Sequence, residues 1–384
     1  MKVIKKYIEV KKMKKIATIT FHASYNHGSN LQAYALQEYI KKLCNNNCQY
    51  NIINLRTNIQ KDLYKTCFEK KGIKNRIKSI INVDEKENLF KREEKFESFI
   101  NNKLQITKEY NSIEQIKKDG LLFDYYISGS DQLWNLQATD FDWANYLEFV
   151  EKGKRVSYAA SFGPKKQTWN NEEKERIRKD LLLYDYLSVR EQGSFNNVKE
   201  LTNIEPEINI DPTMLLKKDE WMKIIDVKPL INKDYIFLYN LKGEKEIIKI
   251  AKEVSKITKM PIIVTQRTII SEIFYGFEKR FDAGPLEFLN LILNAKFVLS
   301  SSFHGTVFSI LFNKPFYAIN GANDFRISTL LEKMNLKNRT IEIDNIKEKC
   351  RKIYDIEFKD ANALLNAERK KSEIYLKKAL EIEN

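Results

Sequence analysis

Short apolar runs alternate with polar turns and amphipathic stretches along most of this chain. Ile16–Phe21 (IATITF) predicts a buried strand. The loop behind it, His22-Ala-Ser-Tyr-Asn-His-Gly-Ser-Asn30, is built from residues that favour turn geometry. Apolar residues at 31, 35, 36, 39, 40 and 43 then predict an amphipathic helix, and Tyr50–Leu55 a second strand. Together they read as one βαβ unit. Its loop is not GxGxxG, so it carries no dinucleotide fingerprint. Residues 56–118 read as charged and helical. Further strands are expected at Tyr125–Ser128, Arg155–Ala160, Tyr184–Val189 and Ile208–Ile210, and Asp211-Pro212-Thr213 closes that series.

Beyond Pro212 the alternation restarts. Strands are expected at Tyr235–Tyr239, Pro261–Thr265, Phe297–Leu299 and Phe316–Ile319, and helices at Lys245–Thr258, Pro285–Asn294, Phe325–Met334 and Ala361–Ile382. Two βα-rich halves with polar strand ends predict an α/β protein of two Rossmann-like domains facing a cleft. The expected division is a basic arm over 1–13, domains over 14–212 and 213–355, and a terminal helix in 356–384 packing back on the first domain.

The stretch Ala295–Pro315 (AKFVLSSSFHGTVFSILFNKP) compresses a strand, a polar turn and a helix start into about twenty residues. In an open α/β sheet such a turn lies at the carboxyl edge, where ligands bind. Backbone N–H groups at the helix start also favour an anion there. His304, one of three histidines in the chain, occupies that turn and is the first candidate for chemistry. His22 and His27 read either as substrate contacts or as surface residues. Asn26, Gly28 and Asn30 either shape the first loop or touch a ligand, Trp134 reads as core, and Asp211-Pro212 reads as a cap on the linker.

Composition narrows the class. No run of about 18 apolar residues is present to span a bilayer as a helix. The formal net charge is +14, but the lysines mix with glutamates in helical stretches such as Lys91–Lys103 and Glu172–Lys179. That is how solvated helix faces look, and no nucleic-acid motif accompanies them, so no nucleic-acid partner is expected. Cys44, Cys48, Cys67 and Cys350 form no metal-ligand framework and read as free thiols of a reducing cytoplasm. Residues 1–15 hold seven lysines and no apolar signal core, so they read as a basic arm, with Met13 an alternative start.

Several segments occur in an order that resembles one family: ITFHASYNHGSNLQAYALQEYI, ISGSDQLWN, SYAASFG, SVREQGS, DPTMLL, GPLEFLNLILNAKFVLSSSFHGTVFSILFNKPF and DFRISTLLEKMNLKNR. The chain resembles the polysaccharide pyruvyl transferase family over roughly residues 14–340, most specifically in GSDQLW and SFHGT. The resemblance implies a fold similar to GT-B glycosyltransferases. It also implies transfer of the pyruvyl group of phosphoenolpyruvate to two sugar hydroxyls as a cyclic ketal. The implied acceptor is a polysaccharide or its lipid-linked precursor, and the implied location is the cytoplasm, with peripheral association at the inner membrane face, where basic residues would help.

Such chemistry needs an acid for the methylene carbon, a base for the hydroxyl, and cations for phosphate and carboxylate. His304 and Asp131 are the candidates for proton handling, since histidine titrates near neutrality. Arg190 and Arg326 are the candidates for the donor's oxyanions. Members of the family often carry an arginine two residues before the histidine; here Ser302 stands there. The Ser300, Ser301 and Ser302 hydroxyls and the amides from Gly305 onward would then serve the donor with less charge. Gly129 and Gln132 join Asn26, Gly28 and Asn30 on the acceptor side or in loop shaping. No cofactor and no metal is expected. The competing readings are a GT-B glycosyltransferase using a nucleotide sugar and a non-catalytic binding protein for glycans or nucleic acid.

Overall fold

A computed structural model describes residues 13–72, 75–76, 79–80, 83–226, 228–240, 245–265, 276–319 and 321–383. The basic arm expected over 1–13 lies outside these residues except for Met13. Among the described residues the strands form two wholly parallel sheets. The first comprises β1 (Lys14–Ile19), β2 (Cys48–Leu55), β3 (Ile106–Tyr110), β4 (Tyr125–Asp131), β5 (Lys154–Ala160), β6 (Ser188–Val189) and β7 (Glu207–Ile208), in the order 3-2-1-4-5-6-7. The second comprises β8 (Ile236–Tyr239), β9 (Ile262–Val264), β10 (Glu278–Lys279), β11 (Phe297–Ser300), β12 (Phe316–Ile319) and β13 (Thr340–Ile341), in the order 10-9-8-11-12-13. Each sheet reverses its direction of growth once, between β1 and β4 and between β8 and β11. Those are the points where open α/β sheets leave a crevice for ligands.

The helices that matter below are α1 (His27–Leu43), α2 (Asn58–Tyr64), α3 (Lys86–Lys103), α4 (Gln192–Thr202), α5 (Pro285–Asn294), α6 (Phe303–Leu311), α7 (Phe325–Lys333) and α8 (Lys359–Ala379). Their starts follow from local chemistry. Asn26 caps α1 by accepting from the Gly28 N–H at 2.9 Å. Pro285 opens α5 at a position where its missing N–H costs nothing, while Glu287 accepts from the Gly284 N–H at 3.1 Å.

The two sheets do not have separate cores on their facing sides. Leu31 of α1, Trp221, Phe288 of α5 and Val307 and Phe308 of α6 belong to one buried cluster, with the Trp221 and Phe308 rings 5.2 Å apart. The base of the crevice is therefore closed by packing, and ligand access lies at the carboxyl edges of the strands. The helix α8 lies against the first sheet: the Tyr375 hydroxyl donates to Ser157 O at 2.7 Å, and the Ile210 N–H donates to Ser372 Oγ at 3.2 Å.

Three features differ from the pattern expected of the sequence. Residues 27–30, rich in Gly, Ser and Asn, form the first turn of α1 and not a loop. The stretch 56–118 contains the edge strand β3, whose only buried side chain is Tyr110, so it shows no apolar run. The two-residue strands β10 and β13 are too short to carry a periodic signal. Among the described residues, no helix is long and apolar enough to cross a membrane.

Candidate active site

Strand β4 ends in Asp131, which adopts φ 80°. Two residues earlier Gly129 has φ 136°, and a Cβ there would lie 2.1 Å from Tyr158 O, so only glycine fits. The Ser29 hydroxyl, in the first turn of α1, donates to Asp131 Oδ2 at 2.7 Å. Strand β6 runs into Arg190, which is 4% exposed. Its Nη1 donates to Asp211 Oδ2 at 2.8 Å, its Nε lies 3.4 Å from Glu191 Oε2, and its Nη2 lies 3.7 Å from Asp131 Oδ1. The guanidinium also sits 4.4 Å from the Phe303 ring centroid.

Buried charges persist only when paired, and here each partner sets the others. Burial works against the charge on Arg190, but Asp211, Glu191 and Asp131 outweigh it and raise the pKa above its ordinary value. Burial by itself would raise Asp131 and Asp211. At Asp131 the neighbouring Arg190 and His304 and the Ser29 hydrogen bond override it, and at Asp211 His304, Arg190 and the Thr213 hydrogen bond do so, and both carboxyls are held below the usual range. At Glu191 burial wins and the pKa rises. The cluster thus holds two firmly ionised aspartates around one cation.

His304 enters from the other sheet, in the first turn of α6 behind the end of β11. Its Nε2 is 3.5 Å from Asp211 Oδ2 and makes no hydrogen bond, although the residue is 6% exposed. Gly28 faces it from α1: a Cβ there would lie 2.0 Å from His304 Nδ1. The N-termini of α1 and α6 thus converge on the imidazole. Neither first turn contains an acidic residue, and Ser302 does not cap α6 with its side chain. Two positive helix ends meet here, beside two buried nitrogens without a hydrogen bond, Arg190 Nη2, 3.7 Å from Asp131, and His304 Nε2. An oxyanion would suit the helix ends, Arg190 Nη2 and an Nε2 that carries a proton.

Of the residues singled out in the sequence, His304, Asp131, Arg190 and Gly28 come together. The others take different places. Asn26 caps α1, and Asn30 holds the first loop by donating to His22 O at 2.6 Å. Gln132 accepts from Asn135 Nδ2 at 3.2 Å. Ser302 donates its N–H to Ser300 Oγ at 3.0 Å, and the Ser301 hydroxyl donates to Asn240 Oδ1 at 3.4 Å. Gly305 lets α6 settle on β11, since a Cβ there would lie 2.2 Å from Ser300 Oγ. Arg326 donates from Nε and Nη2 to Asp324 at 3.0 and 2.6 Å, and its charge reaches the cluster through Glu191.

His22 and His27, read as substrate contacts or surface, are both buried and paired. His22 Nε2 is 2.9 Å from Asn54 Oδ1. His27 bridges the two domains, with Nδ1 3.1 Å from the Tyr239 hydroxyl and Nε2 donating to Ala283 O at 3.0 Å. The cause is the early start of α1, which turns its first residue into the interdomain seam. Asp211 does cap the turn after it, through Oδ1 and the Thr213 N–H, but its other oxygen belongs to the cluster. Glu191, Ser29 and Phe303 were not read as site residues. Their only sequence signal was a position at a strand end or helix start.

Two Rossmann-like domains around a shared crevice make a GT-B-like fold, and solved structures share it. UDP-N-acetylglucosamine 2-epimerase from Rickettsia bellii aligns over 96% of this chain and 97% of its own, with a TM-score of 0.54 at 11% identity. The UDP-GlcNAc 2-epimerase of Neisseria meningitidis, solved with UDP-GlcNAc bound, aligns over 95% of this chain and 100% of its own, with a TM-score of 0.53 at 12% identity. At such identity the likeness is one of fold. No curated protein matches the chain significantly. The polysaccharide pyruvyl transferase family profile matches residues 26–323, a span that contains Asp131, Arg190, Asp211 and His304, and the chain belongs to that family. Membership makes it a transferase of polysaccharide synthesis.

Proposed function

We propose that the protein transfers the pyruvyl group of phosphoenolpyruvate to two hydroxyls of a sugar, forming a cyclic ketal and releasing phosphate. The observation that carries this reading is the convergence of two helix N-termini, neither with an acid in its first turn, on His304 and on Arg190 Nη2, which makes no hydrogen bond. A small, strongly anionic donor fits such a cradle. Nη1 and Nε of Arg190 are engaged by Asp211 and Glu191, and Nη2 lies 3.7 Å from Asp131 without a hydrogen bond, so what it offers the donor is the Nη2 amino group and not a two-pronged fork.

In the reaction the donor's methylene carbon gains a proton, the bond between the adjacent C2 and the phosphate oxygen breaks, and two bonds from C2 to sugar oxygens form. Of the two hydroxyl protons lost, one balances the proton on the new methyl group and the other leaves with phosphate. His304 serves either as the acid toward the methylene or as the hydrogen-bond donor to the departing phosphate. Asp131, ionised and held by Ser29, orients the attacking hydroxyl and receives its hydrogen bond. Asp211 braces both Arg190 and His304. Arg326 acts at the rim, beyond Glu191. The acceptor is a surface polysaccharide or its lipid-linked precursor, met at the cytoplasmic membrane face.

Thermal unfolding with phosphoenolpyruvate and with a panel of nucleotide sugars tests the donor, since a ligand that binds only the native state raises Tm. Phosphoenolpyruvate is expected to stabilise and the nucleotide sugars are not. Stabilisation by a UDP- or GDP-sugar with none by phosphoenolpyruvate would replace this reading with glycosyl transfer.

A further inference from the structure

Beside the reaction centre, on the first sheet only, lies a cavity of about 250 Å³ that the donor chemistry does not use. Its walls come from the loop between β1 and α1 (Tyr25), from Arg56 behind β2, from Gln60 and Tyr64 of α2, and from Glu93 and Glu97 of α3. We propose that this cavity is the subsite for one sugar ring of the acceptor. The inference rests on the pyruvyl-transfer reading for the word acceptor, but the binding chemistry stands on its own.

Position comes first. The cavity opens at the carboxyl edge of β1 and β2, the edge that also presents Asp131. Tyr25 precedes Gly28, the residue against His304, by three positions. Tyr64, whose ring packs on that of Tyr25, donates its hydroxyl to Asp140 Oδ2 at 2.6 Å, in the loop that follows Asp131. Burial and Asp140 raise the Tyr64 pKa against a hydrogen bond from Ser24, and the charge of Asp131 adds to the rise.

Charge and hydrogen bonding then choose the ligand. Arg56 is neutralised by Glu97, with Nη1 and Nη2 contacts of 3.1 and 3.2 Å. Tyr25 donates to Glu97 at 2.9 Å and to Glu93 at 3.3 Å. Burial and the neighbouring Glu69 push the Glu93 carboxyl up, which disfavours a further anion. Lys61 and Lys65 line the cavity as well, Lys61 held by Glu109 and Asn111 and Lys65 beside Asp62, so each lining cation already faces a carboxylate and none is left to a phosphate or carboxylate donor. Two polar atoms remain buried without partners, the acceptor Glu93 Oε2 and the donor Arg56 Nε. A hydroxyl both donates and accepts, so a polyol meets both needs. The Tyr25 ring packs against those of Tyr64 and Phe96, with centroids 5.7 and 5.4 Å apart, which fixes the wall that carries its hydroxyl. The volume lies below the roughly 300–1,000 Å³ of sites for drug-sized ligands, which suits one ring and not a chain.

The test uses the full-length protein and saturation-transfer NMR with the methyl glycosides of glucose, galactose, N-acetylglucosamine and N-acetylmannosamine. At least one glycoside is expected to receive saturation. Glu93→Leu should abolish that signal and raise the acceptor KM about tenfold or more, the cost of a lost hydrogen bond to a charged group, with the donor KM unchanged. Where the leucine variant fails to fold, Glu93→Gln keeps the shape and removes the charge, and the same readouts apply with a smaller shift. No signal from any glycoside, or a signal and acceptor KM that survive in the folded variants, overturns the subsite. Glycoside binding that persists while phosphoenolpyruvate fails to bind would overturn the donor reading and leave the cavity's assignment intact.

Discussion

The chain places a His-Gly pair in the first turn of a helix twice, once at each sheet's point of reversal, and gives the two imidazoles opposite fates. His27 is wedged between the Phe96 and Phe288 rings, at centroid distances of 5.0 and 4.8 Å. Both its nitrogens are engaged, by Tyr239 and Ala283, and burial together with the charge of Arg92 pushes its pKa down to about 3. His304 sits among ionised side chains, and its Nε2 has no hydrogen-bond partner. The glycines differ as well. Gly28 makes room for the opposite imidazole, and Gly305 makes room for the strand end below it. A histidine satisfied on both nitrogens is a neutral rivet between domains, whereas one left open beside carboxylates can handle a proton. The difference lies in the partners and not in the local sequence.

Replacing each histidine should therefore damage different things. His304→Ala should lose about 10²–10⁴-fold in turnover, the usual contribution of a general acid or base, with little change in Tm. Glutamine at the same place donates a hydrogen bond but carries no proton to give. Recovery of rate in His304→Gln points to phosphate binding, and no recovery points to proton transfer. A folded alanine variant with near-normal ketal formation would make His304 another structural histidine and erase the contrast.

Arg190→Ala leaves Asp131, Glu191 and Asp211 buried without their cation, and stability in urea should fall by about 3–5 kcal/mol. Arg190→Lys should recover only part of it, because one ammonium cannot span the carboxylates that the guanidinium bridges. Equal stability of the lysine variant and the parent protein would show that the cluster needs charge alone.

The pH profile addresses His27. Its folded pKa lies below the unfolded value near 6.5, so the unfolded chain takes up a proton first as the solution is acidified. Its share of stability is complete above pH 6.5 and declines by about 1.4 kcal/mol per pH unit down to about pH 3. His22, also lowered by burial, adds in the same direction. In His27→Gln the slope of stability between pH 6 and 4 should be shallower by about one proton. An unchanged slope would mean that His27 is not held neutral.

The smallest expected effect comes from Gly28→Ala. The backbone there is helical and tolerates alanine, so the penalty arises at His304, whose Nδ1, Cγ and Cβ would all lie within 2.8 Å of the new methyl and must move together with the start of α6. Overpacking of this kind costs about 1–3 kcal/mol. Turnover should drop more than stability does, and crystals of the variant should show the imidazole displaced. Normal activity would place the reacting group elsewhere.

Much of this was legible along the chain. Apolar runs flanked by polar turns located the central strands of both sheets, because those strands are buried on both faces, as β4 is throughout. The same pattern hid β3, β10 and β13, which lie at or toward sheet edges and bury little. The order of motifs placed the chain in its family, and chemistry singled out His304, Asp131 and Arg190. What the sequence could not reveal was pairing. Asp211 looked like a cap, His27 like a loop residue and Arg190 like a free fork, since each was judged by its neighbours in the chain. Their roles are set by groups on other strands and on the other domain, brought within hydrogen-bond reach only when two sheets reverse direction at facing points. Local propensity acts over a turn or a strand. Burial, and the charge compensation it demands, acts through space, so only the folded structure decided which histidine is spent and which is open.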